Sequence, residues 1–195
     1  MNEVHIDNSL SHIYTGDVFY KVLKSQYTQE YKDIVIVCIG TDRCTGDSLG
    51  PLTGYKLENK LKTFRNTYLY GTLNHPVHAK NLKETLDLIR KTHKYPFIIA
   101  IDACLGNKNK IGNIKISDGP LKPGAGVHKD LPPVGNINIL GIVNLCGFME
   151  LMVLQSTRLS LVMKMSDVIA KGIEFGLWKF NKDINSNQLK EPMLM

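Results

Sequence analysis

Ile34-Val35-Ile36-Val37-Cys38-Ile39-Gly40-Thr41-Asp42-Arg43-Cys44-Thr45-Gly46-Asp47-Ser48-Leu49-Gly50-Pro51 is the stretch on which the fold turns. Its first six residues are an unbroken apolar run, rich in β-branched side chains and closed by glycine. That pattern belongs to a strand buried on both faces. Leu49, Leu52, Leu57 and Leu61 then give residues 48–61 one apolar side at helical spacing. The polar loop between them carries two aspartates, an arginine and a thiol at the carboxyl end of a buried strand. In open α/β sheets ligands bind at that edge, near the point where strand order reverses.

Downstream the alternation continues. Thr67–Leu73 reads as a second strand. Asn74 is placed to cap a helix running to about His93, with Pro76 in its first turn and His78, Leu82, Leu86 and Ile89 on one face. Phe97–Ile101 is a third buried strand, ending at Asp102. Upstream, residues 15–30 read as an amphipathic helix with Val18, Phe19, Val22 and Leu23 on one side, and residues 1–14 as a mobile arm. Strands alternating with helices predict an α/β fold, a mostly parallel twisted sheet with helices on both faces.

The remainder is less regular. Ile111–Ser117 alternates like a short exposed strand. From Asp118 to Gly135, eight of eighteen residues are Gly or Pro, which predicts a long irregular loop. Ile137–Val143 reads as another strand, and residues 147–180 as one long helix or two stacked ones. Met149, Met152, Met163 and Met165 there are expected as core filler. The tail 181–195 is polar and expected to fray. No internal repeat or second domain is evident in the 195 residues.

Composition bounds the function classes. The formal charge of +6 comes from lysines spread along the chain, without a block of like charges, so nucleic-acid binding is not indicated. No apolar run approaches the length of a membrane span, and no secretory signal is expected from residues 1–10. The four cysteines, Cys38, Cys44, Cys104 and Cys146, form no C-x-x-C pair, which fits reduced thiols in a cytoplasm better than a zinc knuckle.

Four groups could carry chemistry. Asp47 immediately precedes a helix, so it is either an N-cap or a site acid. Asp42 is a turn former or a ligand contact, and Arg43 a solvated charge or a partner for either acid. Asp102 follows a buried strand, where desolvation raises a carboxyl pKa. Two acids on neighbouring parallel strands can share a proton, one serving as base toward water and the other as acid toward the scissile group. His78 is a core histidine or a site residue; His75 is a weaker version of the same, and His128 could fold in from the Gly/Pro loop. A metal held by Asp47, Asp102 and a histidine is conceivable, as is a Cys/His nucleophile using Cys44 or Cys104. Gly124 and Gly126 could form a backbone N–H nest in a loop that rims or covers a substrate.

Cys38-Ile39-Gly40-Thr41-Asp42-Arg43, Thr45-Gly46-Asp47-Ser48-Leu49-Gly50-Pro51, Gly71-Thr72-Leu73, Ile101-Asp102-Ala103-Cys104-Leu105-Gly106, Pro123-Gly124-Ala125-Gly126 and Thr157-Arg158-Leu159-Ser160 together resemble the YyaC-type sporulation proteins, a spore-protease family. The likeness runs from about residue 30 to 170. These proteins are distantly similar to the spore germination protease, where a loop ends in Thr-Pro-Asp-Ala-Leu-Gly-Pro and a second acid follows in Ile-Asp-Ala. Thr41 departs from the Asn that those relatives carry, and this chain is much shorter than the germination protease.

The resemblance implies that Asp47 and Asp102 occupy the acid positions. It also implies the three-layer αβα fold of hydrogenase maturation proteases. Hydrogenase-type enzymes complete a metal site with a histidine, so a divalent cation on Asp47, Asp102 and His78 or His128 stays open. The function implied is a sporulation-associated peptidase acting on a peptide or protein substrate, with Asp42, Arg43, His78, Gly124 and Gly126 as substrate contacts. The alternative is a non-catalytic sporulation protein of the same fold that binds a peptide or protein. Either would work in the cytoplasm of the sporulating cell or spore, away from membranes, as a monomer or homo-oligomer.

Overall fold

Six strands form one sheet in the order β1-β5-β6-β4-β2-β3. The computed structural model describes residues 2–123 and 131–188. Along the chain the elements are β1 (Glu3–His5), α1 (Ser11–Gln26), β2 (Asp33–Cys38), α2 (Leu49–Leu57), β3 (Thr67–Tyr70), α3 (Leu82–Thr92), β4 (Pro96–Gly106), β5 (Asn113–Asp118), β6 (Ile137–Leu145), α4 (Glu150–Gln155) and α5 (Leu159–Gln188). Strands β6, β4, β2 and β3 are parallel; β5 runs antiparallel to β6, and β1 antiparallel to β5.

The strand patterning explains the layers. Successive strand residues face opposite sides. Ile34, Ile36 and Cys38 of β2 join Phe97, Ile99 and Ile101 of β4 in one cluster, which α1, α2 and α5 cover. Val35, Val37 and Ile39 face the other way with Ala100, against Leu82, Leu86 and Ile89 of α3 and against Leu121 and Val134. Burial on both sides accounts for the unbroken apolar run of β2. Each large side chain so buried contributes roughly 1.5–3 kcal/mol. The layers are unequal: three helices on one face, and α3 with parts of the 118–135 segment on the other.

Several sequence expectations are corrected. The described part of the expected 1–14 arm is not free: Glu3–His5 pair with Asn113–Lys115, and α1 already starts at Ser11. That helix ends at Gln26 rather than 30, because Tyr27 turns extended and packs its ring on Phe97 and Phe180 at 5.4 and 5.1 Å. The tail does not begin at 181; α5 continues to Gln188. The helix expected from Asn74 begins at Leu82, and β4 runs five residues past Ile101 to Gly106 because β6 pairs with it that far. Of the four methionines only Met165 is core; Met149, Met152 and Met163 are exposed. No described helix is long and apolar enough to cross a membrane.

Helix α2 lies hard against the carboxyl end of β2. A Cβ built on Gly50 would sit 2.0 Å from the Ile39 carbonyl oxygen, and one on Gly54 would sit 2.0 Å from that of Gly71. Both obstacles are backbone, which cannot swing aside as a side chain can. Gly50→Ala is therefore expected to cost about 3 kcal/mol, beyond ordinary overpacking, in a urea unfolding titration. A loss under about 1 kcal/mol would mean that α2 can withdraw from the sheet.

Candidate functional site

The chain leaves β2 toward β3 on one side and returns through α3 to β4 on the other. Helices α2 and α3 take opposite faces. The crevice between the carboxyl ends of β2 and β4 is thus the switch point, where ligands bind in sheets of this kind.

Three backbone bonds shape it. Ile39 N–H donates to the Ile101 carbonyl at 2.7 Å, carrying the β2–β4 pairing to the residue before Asp102. Gly40 N–H donates to the Val77 carbonyl at 2.8 Å, which pins the segment after β3 alongside. Thr41 N–H donates to the Asp47 carbonyl at 3.2 Å, so the loop folds back on itself. Gly40 takes φ +141°, and a Cβ there would meet the Asp47 carbonyl oxygen at 2.0 Å. From the other side the α4–α5 corner packs on this turn, with Leu154 and Thr157 against Gly46.

Asp47 is half-buried in a short 3-10 turn, Gly46–Ser48. It is not consumed by capping. The N-cap position of α2 is Ser48, no side chain caps either element, and Ser48 Oγ donates instead to the Thr45 carbonyl at 2.6 Å. Burial raises the Asp47 pKa; the Thr41 N–H and the nearby His78 offset part of that rise.

Asp102 is 6% exposed. It sits within β4 rather than at its end, on the same side as Ala100 and Cys104 and opposite Ile99 and Ile101. Burial, and then the charge of Asp47, hold its pKa well above the ordinary carboxyl value, against one compensating bond from Ala103 N–H to Oδ1 at 2.8 Å. The charge of Asp47 therefore reaches Asp102 in a poorly solvated place.

His78 lies in the turn before α3, not in its first turn. Its carbonyl accepts from Asn81 and Leu82 N–H, and its own N–H donates to Asn81 Oδ1 at 2.8 Å. Its Nδ1 is buried without a hydrogen-bond partner among the described residues.

Asp47, Asp102, His78, Arg43, Cys44 and Cys104 all line one cleft of about 680 Å³. Asp42 is exposed and does not line it. His75 lines a second cleft of about 520 Å³, which His78 also reaches. Gly124, Gly126 and His128 lie outside the described residues; Pro120–Pro123 and Leu131, from the same segment, line the main cleft.

Sequence reasoning missed the floor and one wall. Lys115 and Ser117 of β5 and Asn138 and Leu140 of β6 line the cleft, as does Leu151 of α4. The alternation of Ile111–Ser117 placed Lys115 and Ser117 on one face, but only the non-local pairing of β5 with β6 sets that face beside Asp102.

Burial also acts on two thiols of the cleft. Burial raises the Cys44 pKa, and burial with the Asp102 charge pushes Cys104 up to about 11, so both stay thiols near neutral pH. Among the described residues no three His, Cys, Asp or Glu side chains gather as a ligand set, and His128, one of the two histidines considered for a metal, lies outside them.

Comparison with known proteins agrees with this architecture. The chain is 60% identical over 142 residues, 73% of its length and 68% of the relative's, to "Uncharacterized protein YyaC" of Bacillus subtilis (strain 168). A crystal structure of the [NiFe] hydrogenase maturation protease HycI from Thermococcus kodakarensis KOD1 superposes with a TM-score of 0.54, at 18% identity, covering 83% of this chain and 99% of that one. At that identity the likeness concerns the fold. Residues 8–172 match the family described as Protein of unknown function (DUF1256), and the chain belongs to that family.

Proposed function

We propose that this chain is a peptidase in which Asp47 and Asp102 activate a water molecule between them. The observation that carries the reading is a buried carboxyl within β4, Asp102, that feels the charge of Asp47 in the turn after β2, neither spent on capping and both lining a cleft of about 680 Å³. A cleft of that size suits a short peptide segment. The maturation-protease fold supports a peptide substrate, and the likeness to YyaC-type sporulation proteins supports a role in the cytoplasm of the sporulating cell.

The unequal environments assign the roles. Asp102, the more buried, keeps its proton and serves as the acid. Asp47, more open and beside His78, ionises first and serves as the base. Asp47 takes a proton from water while the oxygen bonds to the peptide carbonyl carbon, and Asp102 gives its proton to the carbonyl oxygen. The resulting gem-diol collapses: the C–N bond breaks, the nitrogen takes the proton from Asp47, and a diol hydroxyl returns one to Asp102. Atoms and protons balance over the cycle.

Two measurements test the roles. Purified protein incubated with a proteome-derived peptide library should generate new termini by mass spectrometry. Asp47→Asn and Asp102→Asn should each lower that rate by about 100-fold or more. Retained cleavage in both eliminates the mechanism; an inert wild type that captures intact peptides supports a non-catalytic binding protein instead.

The second measurement is stability against pH. An acid whose folded pKa is raised binds more protons folded than unfolded, so stability falls as pH rises from about 4, the unfolded value, through the raised folded pKa. Asn at 102 is uncharged throughout and escapes that loss. The melting temperature of Asp102→Asn should exceed wild type by a margin that widens as pH rises and closes toward about pH 4. A margin independent of pH would show that Asp102 ionises as easily folded as unfolded.

A further inference from the structure

Four cations ring the cleft: Arg43, Lys80, Lys115 and Lys122 all line it and all are exposed. None of their side chains makes a hydrogen bond or ion pair with a described residue, whereas six other lysines are paired: Lys24, Lys56, Lys60, Lys110, Lys164 and Lys179. Among the described lining residues, the acids that face the four are Glu150 and the floor pair Asp47 and Asp102. The described rim is thus mainly positive, with Glu3 of β1 acting electrostatically on Lys115 alone of the four.

One wall is apolar in an unusual way. Helix α4 buries none of its residues, and Leu151 lines the cleft. Around it Phe148 is 93% exposed, with Met149, Leu151 and Met152 at 62%, 52% and 56%. The backbone takes positive φ at Gly147 (+138°) and at Met149 (+55°) on either side of Phe148. Left-handed geometry at a non-glycine residue is unfavourable by about 1 kcal/mol or more, and it is retained here where it presents an aromatic ring to water. A contiguous exposed apolar patch of this kind marks a binding surface.

Resting on the peptidase reading, we infer that the occupant of this cleft is an extended acidic peptide segment that also carries large apolar side chains. Its carboxylates meet Arg43, Lys80, Lys115 and Lys122, and its apolar residues lie on Phe148, Leu151 and Met152. A single-stranded nucleic acid would satisfy the cations too and could stack one base on Phe148, but Met149, Leu151 and Met152 offer no further stacking platform, so the combined chemistry favours peptide.

The test is fluorescence anisotropy on the full-length Asp47→Asn protein, so that binding is read without hydrolysis. The probe is a labelled ten-residue peptide with glutamates flanking a Leu-Phe-Ala-Leu centre. Three comparators are used: the same peptide with lysine for glutamate, the same with serine for leucine and phenylalanine, and a ten-nucleotide single-stranded DNA. The acidic apolar peptide should bind about tenfold or more tighter than each comparator, and its Kd should rise with salt. Adding Lys115→Gln with Lys122→Gln should weaken it about tenfold, as should Phe148→Ser with Met152→Ser.

Equal binding of the lysine or serine peptide, tighter binding of the DNA, or indifference to salt overturns the inference; the salt titration needs no variant to fold. If the acidic peptide binds selectively but wild type never cleaves it, the aspartate mechanism fails while the surface assignment stands. Cleavage without this selectivity is the reverse.

Discussion

The site depends on one close approach, that of the α2 backbone to the end of β2. Gly50, against the Ile39 carbonyl, and Gly40, against the Asp47 carbonyl, are both positions that leave no space for a Cβ. Because backbone meets backbone, the turn carrying Asp47 inherits the rigidity of the sheet instead of the mobility of a loop. The same strand end is tied to β4 through Ile39 and Ile101, one residue from Asp102. Two acids far apart in sequence are thus fixed by two consecutive rungs of one framework. Preorganisation of that kind is what general acid–base work needs, since small displacements of a reacting group cost much of the rate.

The framework holds the acids against their own preference. A carboxyl buried beside another carboxyl is unfavourable, and Asp102 receives one backbone bond in compensation. Apolar burial supplies the offset. The strands beside the site pack isoleucines and valines that are fully buried on both faces, with Phe19, Phe97 and Leu49 fully buried beneath. A residue that weakens the fold while facing a cleft points to chemistry more strongly than one that stabilises it.

How much of this was legible follows from the range of the interactions. The β2 run, the apolar faces of α1 and α2, and the two aspartates as the polar ends of apolar segments are local patterns, and each reads directly. The first turn of the third helix did not: His78 has helical spacing to Leu82, but the Ile39–Val77 bridge and the Gly40–Val77 bond pull that segment into line with the sheet. The continuation of β4 through Asp102 and Cys104 depends on β6, more than thirty positions on. Glu3–His5 become a strand only because β5 offers an edge. The methionines of α4 and early α5 have core-like composition, yet their exposure is set by a helix that packs on the rim of a cleft rather than under it.

The cleft itself follows from unequal coverage of the two sheet faces. Three helices close one face, where Ile114 and Ile116 of β5 sit in the same cluster as Ile99 and Ile139. On the other face α3 shields β2 and its neighbours, while Lys115, Ser117, Asn138 and Asp102 stay toward the opening. A fully parallel sheet would demand apolar side chains there, because crossover helices cover both of its faces. The antiparallel strand β5, second from the edge, relaxes that demand, since such a strand tolerates one polar side. Reversal of β5 is therefore more than a topological detail. It lets a lysine and a hydroxyl stand beside a buried carboxyl on one continuous floor, joining the charge that would attract a ligand to the acids that would act on it.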